Sequence, residues 1–175
     1  MKNFSITPIE IIKSFTKNRS LIYQMSKREV VGRYKGSLMG LLWSFFNPAL
    51  MLVIYTFVFS IIFKARWPGV TNNLEFAGIL FAGLIIYSLF SECISRSPSL
   101  ILSNVNYVKK VIFPLEILSW IALGSSLFHA SVSVIVLLGF MLFLTGGLHW
   151  TVVLFPLVIF PLLLLTMGIS WILAS

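Results

Sequence analysis

The residues that could carry out chemistry in this sequence are few and widely separated. The chain contains no aspartate, and its two histidines, His129 and His149, each stand alone within apolar sequence. No Ser–His–acid, Cys–His or metal-ligand spacing is present, and the G-x-x-x-x-G-K-[ST] phosphate loop is missing. We therefore expect no enzyme activity, no metal and no cofactor, so any nucleotide hydrolysis must be performed by another chain.

One pair of opposite charges has helical spacing. Glu92 precedes Arg96 by four residues near the end of an apolar segment, so both side chains lie on one helix face and can pair. Pairing lowers the cost of a carboxylate at membrane depth. We expect a structural role, because a proton relay would need several buried acids and the apolar segments offer only this one.

The composition indicates a membrane protein. Of the 175 residues, 58% are hydrophobic and 10% are charged, and the net charge is +8. Soluble domains carry about 25% charged residues, so a soluble enzyme, a secreted scaffold and a disordered tail are disfavoured. Eight of the 13 basic residues precede position 36, next to uncharged sequence, which favours a positive-inside flank over nucleic-acid binding. The single cysteine, Cys93, forms no intrachain disulfide.

Charge-free stretches predict four membrane spans. Residues 36–63, 76–91 and 117–175 lack charge, and a helix needs about 20 residues to cross a bilayer. The longest stretch accommodates two spans, because the Gly146-Gly147 turn divides it. The sequence therefore predicts an all-α polytopic membrane helix bundle with spans at about 38–63, 76–95, 117–144 and 151–175.

The basic residues also predict an orientation. With the amino terminus in the cytoplasm, eleven Lys and Arg residues lie inside, and only Lys64 and Arg66 lie outside. The last span has no charged stop before Ser175. This favours an amino-terminal portion of a larger protein over a natural short four-span protein.

Residues 1–36 predict cytoplasmic or interfacial amphipathic helices ahead of a transmembrane domain, residues 37–175. The segment Thr7-Pro8-Ile9-Glu10 has the form of a capping box that begins a short helix ending near Lys17. Asn18 offers a break before a second helix that continues to Lys35.

Both helices should lie flat on the membrane, with Ile22, Met25 and Tyr34 facing acyl chains. Their cations meet lipid phosphates or, alternatively, a cytoplasmic partner. The cations in question are Lys27, Arg28, Arg33 and Lys35.

Three glycines, Gly32, Gly36 and Gly40, recur every four residues at the entry to the first span. Such spacing lets helix backbones approach closely. It predicts packing within the chain or, alternatively, a seam between subunits.

The first span is rich in aromatic residues and is interrupted by Asn47-Pro48. Pro48 predicts a kink, and Asn47 is a candidate cap for the helix that resumes. The aromatic side chains either face lipid and core, or a subset lines a passage for a sugar chain, because ring faces stack on the C–H faces of pyranoses.

Residues 104–116, between the second and third spans, predict a short amphipathic helix. Asn104 or Asn106 can cap it, apolar side chains share one side with Lys109 and Lys110 on the other, and it ends before Pro114. Such a helix is either an idle surface element or a lever that docks into a soluble partner.

Two motifs in the sequence are long and distinctive. The first is Arg28-Glu29, then Arg33-Tyr34-Lys35-Gly36-Ser37-Leu38-Met39-Gly40-Leu41-Leu42-Trp43, Asn47-Pro48 and Tyr55-Thr56-Phe57-Val58-Phe59. The second is Asn106-Tyr107-Val108-Lys109-Lys110-Val111-Ile112-Phe113-Pro114-Leu115-Glu116. In order and separation they resemble the type-2 ABC permeases for polysaccharide export, and the resemblance extends across the whole chain.

The resemblance implies a six-span subunit in the cytoplasmic (inner) membrane of a bacterium. Such a subunit forms a homodimer, binds ABC ATPase subunits and exports lipid-linked polysaccharide such as O-antigen, capsule or teichoic acid. By position, residues 104–116 would be the helix that couples to the ATPase, and the region 8–35 would be a gate helix at the membrane surface.

The resemblance also suggests roles for individual residues. The ATPase-coupling residues would be Lys109, Lys110, Phe113, Pro114 and Glu116. The gate residues would be Arg28, Arg33, Tyr34 and Lys35. Candidates for the substrate path, chosen by composition, are Trp43, Phe46, Tyr55 and Phe59.

Two alternatives to polysaccharide export stay open at this point. One is an ABC permease of the same architecture for a drug or a non-glycan lipid. The other is a membrane scaffold that transports nothing.

Overall fold

The computed structural model describes residues 8–62, 73–103, 117–147 and 150–174. Within these residues every regular element is helical. Helix α1 is Pro8–Arg33, α2 is Trp43–Thr56, α3 is Asn73–Arg96, α4 is Leu100–Ser103, α5 is Ile117–Thr145 and α6 is Phe155–Ala174. Short 3-10 turns, Gly40–Leu42, Ser97–Ser99 and Trp150–Leu154, precede α2, α4 and α6, and a π-helical turn, Phe57–Ile62, follows α2.

Among the described residues, four helical segments are long and apolar enough to cross a membrane. They are Gly40–Ser60, Leu74–Ser99, Ile117–Thr145 and Val152–Leu173, with 21, 26, 29 and 22 residues. A span needs about 20 residues. The prediction of an all-α polytopic membrane bundle is confirmed.

The core of the bundle lies between α2, α3 and α5. Its buried side chains are Leu52, Phe81, Ile85, Leu89, Ala130, Val136 and Leu137. Many other large apolar side chains point outward, and Phe143 and Val153 are 88% and 79% exposed. Such exposure is unfavourable in water, whereas lipid tails are as apolar as these side chains. The outer surface is therefore suited to lipid.

The second half of α1 packs along the beginning of α5. Ile22 is buried against residues 117–121, and the Ser26 hydroxyl donates to the carbonyl of Ile121 at 3.2 Å. Tyr34, just beyond α1, reaches His129. Residues farther along α1 contact residues farther along α5, so the two helices run side by side in the same direction.

The prediction that Ile22, Met25 and Tyr34 face acyl chains is wrong. Ile22 is only 6% exposed, Met25 packs beside it, and Tyr34 is half-buried. The apolar stripe of α1 meets the apolar start of α5, which gives it a protein surface to pack against. Sequence patterning does not distinguish this surface from lipid, because both are apolar.

The predicted break at Asn18 is confirmed. Asn18 has φ −106° and ψ 16°, outside the helical range, although hydrogen bonding continues through it. Its side-chain amide donates to the carbonyl of Ser14 at 3.0 Å. Asparagine side chains compete with the backbone for such bonds, which accounts for the kink at this residue.

The predicted close packing within the chain at the repeated glycines is wrong, and the alternative of a seam between subunits stays a prediction. Gly36 and Gly40 have φ of +91° and +51°, so they shape the turn between α1 and α2 rather than a helix face. Added Cβ atoms at Gly32, Gly36 and Gly40 would meet nothing within 4 Å. The close approach of helices is elsewhere, at Gly124, where an added Cβ would lie 2.6 Å from the Ser26 hydroxyl oxygen.

Helix α2 continues through Asn47 and Pro48. Asn47 therefore does not cap a resumed helix, and that expectation is wrong. Pro48 is the sixth residue of α2, and the carbonyl it leaves without a backbone donor is that of Ser44. The Ser44 hydroxyl itself donates to the carbonyl of Leu41 at 2.7 Å.

Helix α6 packs on the bundle through polar and aromatic contacts at the end of the bundle where α1 also packs. The hydroxyl oxygens of Ser97 and Ser170 lie 2.6 Å apart, and both side chains are buried. The rings of Trp120 and Trp171 meet edge to face at 5.8 Å. Before α6 the chain turns at Gly146, whose φ is +69°.

Candidate functional site

A cluster of four charged side chains joins α1 to α3. Arg33 pairs with Glu92, and Arg96 pairs with Glu29. The Nη1 atom of Arg96 also lies 3.6 Å from the Oε1 atom of Glu92, which confirms the predicted pairing within α3. These four side chains are between 22% and 39% exposed. Positive and negative groups alternate, so no charge in the cluster is left without a partner.

The local sequence explains how this cluster assembles. Glu29 and Arg33 are four residues apart on α1, and Glu92 and Arg96 are four residues apart on α3. In both pairs the acid precedes the base. Residues four apart share a helix face. Because the two helices run antiparallel at this contact, each acid meets a base of the other helix.

Tyr34 and His129 lie next to the charged cluster. The Tyr34 hydroxyl and the His129 Nδ1 are 3.4 Å apart, and the rings meet edge to face with centroids 5.9 Å apart. Burial raises the pKa of the Tyr34 hydroxyl, the charge of Arg33 opposes this rise, and the charge of Glu92 adds to it. The Nε2 atom of His129 is buried and has no hydrogen-bond partner within the described part of the chain.

A cleft of about 400 Å³ opens between α2, α3 and α5 beside the charged cluster. The polar residues that line it are Arg33, Tyr34, Ser44, Asn47, Tyr55, Tyr87, Ser88, Glu92, His129 and Ser133. Polar groups within membrane-spanning segments are costly unless they meet water or another polar group. The cleft can therefore hold water or a polar ligand, with hydroxyl and amide groups to hydrogen-bond it and tyrosine rings to stack against it.

The predicted gate residues occupy different positions. Arg33 and Tyr34 line the cleft. Arg28 lines a smaller cavity of about 160 Å³ on the other side of the charged cluster, together with Glu29 and Arg96. Lys35 is exposed in the turn after α1.

The four aromatic residues predicted to line the substrate path also lie in different places. Tyr55 lines the cleft, and the ring of Phe59 lies 6.3 Å from that of Tyr55. Trp43 and Phe46 are absent from the cleft lining and are 43% and 46% exposed. The structure therefore brings two of these residues together beside the cleft, and their role in transport stays a prediction.

The predicted ATPase-coupling residues, Lys109, Lys110, Phe113, Pro114 and Glu116, lie outside the described residues. Where the structure does describe the chain, no group of three or more His, Cys, Asp or Glu side chains could hold a metal ion.

Comparison with known proteins places this arrangement in a family. The family profile described as ABC-2 type transporter matches residues 20–175, which is most of the chain and includes all four apolar spans. The chain belongs to the ABC-2 transporter family.

Individual relatives agree with this assignment. The chain is 28% identical over 167 residues to an O-antigen export system permease protein of Myxococcus xanthus. It is 29% identical over 152 residues to a protein of the same description from Klebsiella pneumoniae. These matches cover 95% and 86% of this chain but 62% and 56% of the relatives, so the ABC-2 chain spans little more than half their length.

Sequence reasoning missed most residues of the cleft. Ser44, Ser88 and Ser133 each stand within an apolar span, and a polar side chain in such a span is the signal that could have found them. A second signal was the matched charge order of Glu29 and Arg33 with Glu92 and Arg96. Neither signal alone shows that the spans meet at these residues.

Proposed function

We propose that this ABC-2 chain is a permease subunit of an ATP-driven exporter that moves lipid-linked polysaccharide across the cytoplasmic membrane of a bacterium. The observation that carries the proposal is the cleft among the apolar spans, lined by hydroxyl, amide and tyrosine side chains. A glycan offers hydroxyl groups to hydrogen-bond and C–H faces to stack. The relatives described as O-antigen export permeases support the same substrate class.

The proposal includes a topology. The amino terminus lies in the cytoplasm, because the basic residues of α1 and Arg96 gather at one end of the bundle. Residues 1–36 form the part at the membrane surface, and residues 37–175 form the transmembrane part.

The proposal also includes partners. A separate ABC ATPase subunit hydrolyses ATP and contacts residues 104–116, with Lys109 and Lys110 as its main charged contacts. Two copies of the permease form the conducting unit. No part of this chain is assigned a catalytic step.

A pair of variants tests the cleft as the substrate path. In the full-length protein in its host, Ser133→Leu places a bulky apolar group in the cleft, whereas Ser131→Leu changes an exposed serine on the same helix. We expect Ser133→Leu to lower surface polysaccharide and to accumulate lipid-linked glycan in the cytoplasm. Ser131→Leu should export normally at the same protein level. Normal export by both variants contradicts the proposed path.

A second experiment tests the function itself. Deleting the gene should accumulate cytoplasmic lipid-linked polymer, and the full-length protein should restore export. The double variant Lys109→Glu with Lys110→Glu should insert into the membrane normally but lose the co-purifying ATPase. A deletion without polymer accumulation would indicate a scaffold or a permease for another substrate, and retained co-purification would reject the docking role.

A further inference from the structure

An apolar groove of about 480 Å³ lies between α1 and α5. Ile22 and Val30 are buried along it, and Ser26 meets α5 at Gly124. Its open rim carries large apolar side chains that the rest of the chain leaves exposed. These are Phe15, Tyr23, Val31, Leu41 and Phe128.

The charged residues that line the groove are all basic. Its lining includes Arg19 and Lys27, both exposed, and no acidic residue. Neither cation takes part in an ion pair with another described residue. Eight residues separate them on α1, a distance of about 12 Å along a helix. An occupant with an apolar part and an anionic head would complement this surface.

The depth of the groove in the membrane follows from counting residues along the spans. A helix of about 20 residues is as long as the hydrocarbon core is thick. Twenty residues counted from Asn73 on α3 end at Glu92, and twenty counted back from Thr145 on α5 end at residue 126. The first span begins at Gly40. Leu41, Gly124 and Phe128 are within two residues of these levels, so the end of the groove that they form lies where hydrocarbon gives way to headgroups.

Tyr23 adds to this placement. Its side chain is 69% exposed at the rim, and tyrosine side chains are enriched at the headgroup level of membranes. Long basic side chains beside an apolar surface keep their stems on that surface and extend their charges to the polar layer. The geometry points to an anionic phospholipid as the occupant, with an acyl chain in the groove and its phosphate held by Arg19 and Lys27. This site is separate from the cleft of the proposed transport path and does not depend on it.

Native mass spectrometry of the purified full-length protein tests this site. Phosphatidylglycerol and phosphatidylcholine of identical acyl chains are the probes, added at equal concentration. We expect the phosphatidylglycerol adduct to be retained at least about tenfold better. The double variant Arg19→Gln with Lys27→Gln should reduce that preference by about tenfold or more, because each removes a cation near the lipid phosphate.

Two further variants give the matched comparisons. Lys17→Gln with Lys35→Gln removes the same charge from exposed positions outside the groove and should keep the preference. Val31→Glu places an acid on the exposed rim without disturbing a buried residue and should weaken phosphatidylglycerol binding.

Several outcomes would overturn the assignment. Equal retention of the two lipids would show that the groove does not select an anionic headgroup. Equal loss in the groove variant and the Lys17/Lys35 control would reduce the effect to general surface charge. Binding of glycerol phosphate as strong as that of the lipid removes the role of the acyl chain. Retention of a polyprenyl diphosphate but not of phosphatidylglycerol assigns the groove to another lipid class.

Discussion

Arg33 at the end of α1 and Glu92 on α3 form an ion pair across 59 positions of the sequence. Their side chains are 39% and 22% exposed, so the pair is partly shielded from solvent. Together with Glu29 and Arg96 it joins the amino-terminal helix to the second apolar span. Movement of α1 relative to α3 would have to break these contacts, so the cluster connects α1 to the cleft.

The ion pair predicts an energetic coupling. A double-mutant cycle of Arg33→Gln and Glu92→Gln should give a coupling free energy of ~1 kcal/mol, near the upper end for partly exposed pairs. Thermal unfolding of the detergent-purified protein measures it. Arg33→Gln combined with Glu75→Gln, an acid in the first turn of α3, should show additive losses. Additive losses for Arg33 and Glu92 as well would contradict the pairing.

The contact between α1 and α5 predicts a steric effect at Gly124. An alanine there brings Cβ to 2.6 Å from the Ser26 hydroxyl oxygen and 3.2 Å from its Cβ, so α1 must shift away. We expect a loss of ~1–3 kcal/mol in stability and faster thiol labelling of a cysteine placed at Ile22. Gly139→Ala on the same helix meets nothing within 4 Å and is the control. Unchanged labelling in the Gly124 variant would show that α1 does not approach α5 here.

The hydroxyl pair between Ser97 and Ser170 predicts a contribution to the docking of α6. Both side chains are buried, and Ser97 also donates to the carbonyl of Cys93 at 2.7 Å. A double-mutant cycle with alanine at both positions should give a coupling of ~0.6 kcal/mol, typical of hydrogen bonds between membrane helices. Ser99→Ala, an exposed serine in the same turn, should show no coupling to Ser170. A coupling near zero for Ser97 with Ser170 contradicts the contact.

The half-buried hydroxyl of Tyr34 predicts a loss of stability at alkaline pH. Its pKa is raised, chiefly by burial, so above the ordinary tyrosine pKa of about 10 the unfolded chain releases this proton before the folded chain does. The folded state then binds more protons, and stability falls as pH rises through that window, whereas below it the contribution is fully present.

Tyr34→Phe isolates this effect. The chain has five tyrosines, so the difference in tyrosinate absorbance between wild type and the variant reports Tyr34 alone. We expect its titration at a pH above the ordinary tyrosine pKa of about 10. The alkaline decline in stability should be shallower in Tyr34→Phe. Titration of Tyr34 at the ordinary tyrosine pKa would show that its hydroxyl is open to water.

Parts of the fold and site were predictable for identifiable reasons. The spans follow from charge-free runs, and the break at Asn18 follows from the local chemistry of one side chain. The environment of Ile22 was not predictable, because a lipid-facing stripe and a helix-facing stripe have the same composition. The glycine repeat misled for a related reason: spacing alone does not show that Gly36 and Gly40 adopt positive φ and end the helix.

The sequence by itself determined the membrane class, the number of apolar segments and the family, since these depend on composition, run length and contiguous motifs. Only the tertiary structure decided that Arg33 meets Glu92, that Tyr34 meets His129 and that Ser44 and Ser133 share a cleft. The physical reason is that hydrophobicity marks which segments enter the membrane but not which of their faces meet. Packing between helices chooses those faces, through the few small or polar side chains that each span carries.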